Sequence, residues 1–192
     1  FLIFLLPVTV GMAFESKGLY SYLPLFVFFV LVPLLELLIR KVWNTDEASE
    51  TDLAKPDLFY NFLLYSLIPI QWIFVLYFLS SQNEVTDPLT WWGRVFAMGL
   101  MCGIIGINVG HELGHRSPKM ERFLGELLLL SSLENHFLPY HNRGHHYNVG
   151  TPKDPASARR NEWLFVFWFR SQIGSYVQAW QIENQRMQII KK

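Results

Sequence analysis

The chain holds one cysteine in 192 residues, Cys102, so no internal disulfide can staple it. Charge is also scarce: 17% of residues are Asp, Glu, Lys or Arg, against roughly 25% in soluble domains. The 16 basic side chains are matched by 16 acidic ones, leaving a formal charge of zero. Without a net positive field, nucleic acid is excluded as a partner. What is abundant is apolar: 51% of the chain is hydrophobic and 16% aromatic, which excludes disorder. A membrane protein or a very apolar enzyme remains.

The position of the few charges decides between these. Residues 58–79 contain none, and the stretch is as long as the ~20 residues a helix needs to cross the hydrocarbon core. Residues 18–35 are also uncharged and continue through Glu36 to Ile39. Residues 95–110 form a third apolar run, preceded by Trp91, Trp92 and Arg94, side chains suited to a membrane interface. Residues 1–14 are equally apolar but lack an initiator Met and a basic leader, so the chain is expected to begin inside a helix rather than with a signal peptide. The predicted fold class is all-α, a polytopic transmembrane bundle. About four helices, the first truncated, fill residues 1–110, and histidine-bearing helices follow in residues 111–192.

The loops set an orientation. Arg40, Lys41 and Lys55 lie in one connection and Arg116, Lys119 and Arg122 follow Gly110, whereas residues 80–90 contain no Lys or Arg. The positive-inside bias therefore predicts that the Arg40 connection and the region after Gly110 are cytoplasmic. Gly99, Gly103, Gly106 and Gly110 recur along one side of the third span, which predicts close approach by another helix. Pro24, Pro33 and Pro69 lie inside apolar runs and are expected to kink them. Cys102 reads as a small apolar side chain. Further on, Ser117-Pro118 is expected to cap a helix reaching Leu133, Pro139 to open the helix of the second histidine group, and Asp154-Pro155 to cap a short helix. Residues 163–180 mix apolar rings with Arg170, Gln172 and Gln178, a pattern suited to the cytoplasmic interface.

All six histidines fall between positions 111 and 146. His111 and His115 are four apart, as are His141 and His145, and positions four apart share a helix face. His146 is rotated by about 100° from His145 and can reach a second ion. Two groups with this spacing predict a two-metal site held by His111, His115, His141, His145 and His146. Imidazole suits zinc, copper, iron and nickel alike. Around the ligands, Glu112, His136 and Asn142 are candidates for supporting contacts, with a satisfied or solvated side chain the plainer reading of His136 and a solvated charge at a helix end an equal alternative for Glu112.

Taken alone, His111-Glu112-x-x-His115 matches the zinc-protease motif, in which the glutamate is a general base. That reading leaves the second group unused, because a catalytic zinc takes about three protein ligands. A non-catalytic membrane metal-binding protein is the third possibility.

The two groups together resemble the integral-membrane di-iron oxygenases, the superfamily of fatty-acid desaturases and alkane hydroxylases. Within it they are most similar to the bacterial alkane 1-monooxygenases. The resemblance rests on His-Glu-Leu-Gly-His-Arg at 111–116, His-Asn-Arg-Gly-His-His at 141–146 and Thr-Pro-Lys-Asp-Pro-Ala-Ser-Ala-Arg at 151–159. Arg170-Ser171-Gln172-Ile173-Gly174-Ser175, with Ala179-Trp180, also fits. Tyr140 departs from the pattern, since many of these enzymes carry glutamate before the second box. The resemblance implies an iron-dependent oxidoreductase of the bacterial inner membrane with two iron ions, O2 as co-substrate, and terminal hydroxylation of n-alkanes dissolved in membrane lipid. Rubredoxin and rubredoxin reductase would supply electrons, the former docking near Arg116, Lys119, Arg143, Arg159 and Arg160. Phe26, Phe28, Phe29, Trp72 and Phe74 are candidates to line the substrate route, with lipid contact or packing against neighbouring helices the favoured reading of any one of them. The family carries further histidine boxes, so the sequence is expected to be a fragment with an incomplete metal site.

Overall fold

In the computed structural model, which describes residues 2–39 and 58–190, every regular element among the described residues is a helix. Three stretches are long and apolar enough to cross a membrane: Gly18–Ile39, Leu58–Glu84 and Pro88–His115. The first coincides with the predicted run through Ile39, and the other two extend the predicted spans at their ends. The connection carrying Arg40, Lys41 and Lys55 lies outside the described residues.

The residues group into two units, Phe1–Val109 and Gly110–Lys192. In the first, α1 (Leu5–Glu15) is followed by α2, the mixed helix Gly18–Ile39, then α3 (Leu58–Ser81) and α4 (Pro88–Met101). Phe14 of α1 is fully buried and its ring packs 5.7–6.0 Å from those of Phe74, Tyr77 and Phe78 on α3. Arg94 of α4 lays its guanidinium 5.8 Å from the same ring and donates to the Phe14 carbonyl, so a cation inside an apolar bundle is both stacked and hydrogen-bonded. Asp87 caps α4 by accepting from the Leu89 and Thr90 amides, and Pro88 takes the first helical position, where its missing N–H costs nothing. The Thr90 hydroxyl in turn accepts from the Gly18 amide at 2.7 Å. Gly18 has φ +61, and Gly93 abuts Ser21 so closely that a Cβ would lie 1.9 Å from its Oγ. Glycine is therefore required at both positions.

Much of this unit's apolar surface faces outward. Phe29, Leu37 and Phe62 are each about two-thirds exposed, a pattern costly in water and natural in lipid. Phe26 and Phe29 lie on this exposed surface, while Phe74 packs on Phe14. Phe26 and Phe29 thus face outward and Phe74 packs inside the bundle, the favoured reading of rings in membrane helices. Pro24 begins an α-helical turn instead of interrupting one. Pro33 follows a wider π-helical stretch, Val27–Leu31, a local widening of the kind that accommodates a proline inside a helix. Cys102 is half-buried and accepts from Gln71 Nε2 at 3.5 Å. A second π-helical stretch, Cys102–Val109, follows α4.

The second unit contains α5 (Gly110–His115), α6 (Lys119–Ser131), α7 (Phe137–Tyr140), a π-helical turn His141–His145, α8 (His146–Asn148) and α9 (Leu164–Ile190). The glycine stripe works differently from expectation. A Cβ at Gly99 or Gly103 would meet nothing within 4 Å, whereas one at Gly110 would lie 3.0 Å from the Gly125 carbonyl oxygen and one at Gly125 would lie 2.7 Å from that of Gly110. Close approach is concentrated where α5 crosses α6, backbone against backbone.

Three punctuation readings need correction. Pro118, with φ −63 and ψ 132, stands just before α6 and the helix closes at Ser131, where Leu133 turns into a left-handed conformation with φ 60. Pro139 is the third residue of α7, which opens at Phe137. Asp154-Pro155 caps no helix, because the Asp154 side chain is drawn inward by partners distant in sequence. The interfacial reading of residues 163–180 falls on α9 and the residue before it, where Trp163, Phe165 and Phe169 are exposed.

Candidate metal centre

The first histidine group rides on α5, and the tight α5–α6 crossing fixes the helix that carries it. Gly114, between the two histidines, lets Leu138 press against the helix; a Cβ there would lie 2.3 Å from Leu138 Cδ2. The second group rides on the π-helical turn. A π-turn holds one residue more than an α-turn, so residues four and five apart both fall near the first. The ring of His145 accordingly stacks on that of His141, with centroids 5.3 Å apart and 21° between planes. His146, five residues on, brings its Nε2 to 3.0 Å from His141 Nε2.

The two groups converge. His111 Nε2 lies 2.8 Å from His141 Nε2 and 2.7 Å from His115 Nε2, and His115 Nε2 lies 3.2 Å from His141 Nε2. These three histidines form a set able to hold a metal ion. A neutral ring nitrogen is either a donor or an acceptor, so a closed triangle of three cannot be satisfied by linear hydrogen bonds. A cation satisfies all three lone pairs together, and the spacing suits imidazole–metal bonds of about 2.0–2.1 Å. His141 is the common member, in contact with His111, His115 and His146. Burial, followed by the fields of the neighbouring imidazoles, pushes its pKa down to about 4, which keeps the ring neutral and able to ligate at physiological pH.

The fifth histidine is held from outside. His145 Nδ1 bonds Asp154 Oδ2 at 2.9 Å, and Asp154 is 1% exposed. The same carboxylate accepts from the Tyr140 hydroxyl at 2.6 Å, the Ser157 hydroxyl at 2.6 Å and the Ala156 amide at 3.1 Å. These donors hold its pKa low against the opposing effect of burial. Arg170 of α9 secures the segment that delivers Asp154: it donates to the Pro155 and Ser157 carbonyls at 2.9 and 3.0 Å and pairs with Glu162 at 2.5 Å. Gly144 lets α9 approach the π-turn, since a Cβ there would lie 2.7 Å from Gln178 Oε1.

The candidate supporting residues stand elsewhere. Glu112 is 62% exposed and directed at Arg116, 3.9 Å away. His136 Nε2 lies 3.4 Å from the Glu134 carboxylate, and the ring packs edge-on to Tyr176. Asn142 is exposed. Asp154 went unrecognised as a support because nothing local marks it, although it lies in the Thr-Pro-Lys-Asp-Pro-Ala segment that carried the resemblance. Tyr140, which departs from the family pattern, turns its hydroxyl to Asp154.

Residues 89–192 match the family model described as fatty acid desaturase. Among curated proteins, the chain is 30% identical to the alkane 1-monooxygenase of Ectopseudomonas oleovorans over 88% of its length and 42% of the relative's. It is 32% identical to alkane 1-monooxygenase 1 of Alcanivorax borkumensis, over 86% and 41%. The xylene/toluene monooxygenase hydroxylase component XylM of Pseudomonas putida is 25% identical over 56% of the chain and 29% of the relative. The chain spans a little under half the length of the alkane monooxygenases it matches.

Proposed function

The chain belongs to the fatty acid desaturase family, and from that premise we propose that the complete protein is a non-haem di-iron monooxygenase that hydroxylates the terminal carbon of n-alkanes. The observation that carries this reading is the meeting of both histidine groups at His141 Nε2, in a donor set made wholly of imidazole. His111, His115, His141, His145 and His146 would hold the two irons, together with ligands from the remainder of the protein. When bound, the irons activate O2 and supply the oxidising power that an unactivated C–H bond demands. The balance is one alkane, one O2, two electrons and two protons giving one primary alcohol and one water.

The protein's own residues position and exclude. His141 stays neutral through burial, and the clasp on Asp154 orients His145. The exposed apolar faces of the spans place the protein in lipid, where an alkane also partitions, at roughly 25 cal/mol per Å2 of apolar surface removed from water. We assign the protein to the bacterial inner membrane with the metal centre on the cytoplasmic side, as the distribution of basic residues supports. Lys119, Arg159 and Arg160 are exposed and suit an acidic electron donor, rubredoxin, itself reduced by its reductase. Arg116 and Arg143 are engaged by acidic neighbours.

The zinc-protease reading fares worse. It needs Glu112 as a base beside the metal, yet this side chain is exposed and directed at Arg116. The test is expression of the full-length protein with a rubredoxin system and octane under 18O2. One 18O atom in 1-octanol is expected; no alcohol, with one zinc per purified chain, overturns the assignment.

A further inference from the structure

We propose that Asp154 is the positioning residue of the metal centre: it fixes the tautomer and plane of His145 so that Nε2 is the nitrogen presented to metal. The proposal deepens the di-iron reading and rests on it. An ionised carboxylate has about four lone-pair sites, and in Asp154 four donors occupy them. Oδ1 takes the Tyr140 hydroxyl and the Ala156 amide, while Oδ2 takes the Ser157 hydroxyl and His145 Nδ1. With both oxygens filled and the side chain fully buried, Asp154 is not available as a ligand. Its action on the metal passes through the imidazole.

This arrangement decides the state of His145. Three of the four donors, two hydroxyls and an amide, keep their protons, so the carboxylate remains an acceptor toward the ring. Nδ1 must then carry the proton, leaving the Nε2 lone pair for a metal, the linkage by which carboxylates orient metal-bound histidines. Among the five histidines of the two boxes, His145 is the one for which the structure shows a carboxylate partner on Nδ1. The clasp also ties the ring to residues 151–157 and through Arg170 to α9, so a polar network anchors what packing alone holds in α5.

The test uses full-length protein and iron(II) alone, titrated anaerobically against a chelator, with thermal unfolding of the metal-free protein measured in parallel. D154N keeps the shape but turns a donor toward donors; it is expected to bind iron about 10–100-fold more weakly. Y140F and S157A remove the other side-chain donors and leave the His145 contact. They are expected to lower the melting temperature while iron affinity stays within about threefold. Equal loss of affinity in all three variants overturns the proposal, because the network then acts only by holding the fold. Wild-type affinity in D154N also overturns it. Should D154N fail to fold, the 15N chemical shifts of the His145 ring in metal-free wild-type protein decide: a protonated Nδ1 supports the proposal, and a protonated Nε2 contradicts it. A wild-type protein that binds no iron(II) sinks the di-iron reading itself, an outcome distinct from all of these.

Discussion

The two histidine groups meet at one point but are brought there by different physics. His111 and His115 sit on a helix fixed by what is missing: Gly110, Gly114 and Gly125 have no side chains, so backbone approaches backbone. His141 and His145 sit on a π-helical turn, with His146 directly after it, fixed by what is added, the hydrogen bonds of Tyr140, Asp154, Ser157 and Arg170. Packing without voids resists change in volume, whereas a polar network resists change in charge. The two halves of the centre should therefore fail in different ways.

The largest effect is expected where the halves join. H141A removes the nitrogen that contacts three other histidines, and iron(II) affinity of the full-length protein should fall beyond the roughly 100-fold that marks loss of a supporting partner. Next comes the packed half. G125A puts a methyl group 2.7 Å from the Gly110 carbonyl oxygen and 3.0 Å from the Gly114 amide; both are backbone atoms, so relief requires α5 and α6 to part. A stability loss of about 1–3 kcal/mol is expected, seen as a lower melting temperature with or without metal.

A pH titration sharpens the contrast. His141 titrates at about 4 in the fold against roughly 6.5 when unfolded, so the unfolded state takes up the proton first. Metal-free protein should lose stability as pH falls from about 6.5 toward 4, with no further contribution from this group below that. H141Q should flatten this limb, and unchanged slopes would show that His141 is not buried as described. The smallest effect is expected from E112Q, whose side chain is exposed and paired with Arg116. Iron affinity and hydroxylation should stay within about twofold of wild type, while a collapse of activity would revive a role for Glu112 as a base.

The spans and the face-sharing spacing within each histidine group were readable in sequence because each follows from a one-dimensional rule. A membrane helix needs about 20 apolar residues in a row, and two imidazoles on one face need spacing of three or four. The rest depends on contacts between distant positions. Asp154-Pro155 carries the local signature of a helix cap, and beside its local partners Ala156 and Ser157 it takes up Tyr140 and His145, 14 and 9 residues away. The π-turn escaped a reading that assumes 3.6 residues per turn, and so did the way it gathers His146 onto His141. The glycines announced a close approach without naming the neighbour: Gly99 and Gly103 face open space, and Gly110 meets Gly125.

Metal stoichiometry bears on all of this at once. Full-length protein purified from iron-supplemented cells should carry two irons per chain in a nitrogen-dominated shell by X-ray absorption at the iron edge, and H141A should lose them. One zinc per chain in place of iron, or iron that remains fully bound in H141A, would contradict a di-iron centre built on these histidines.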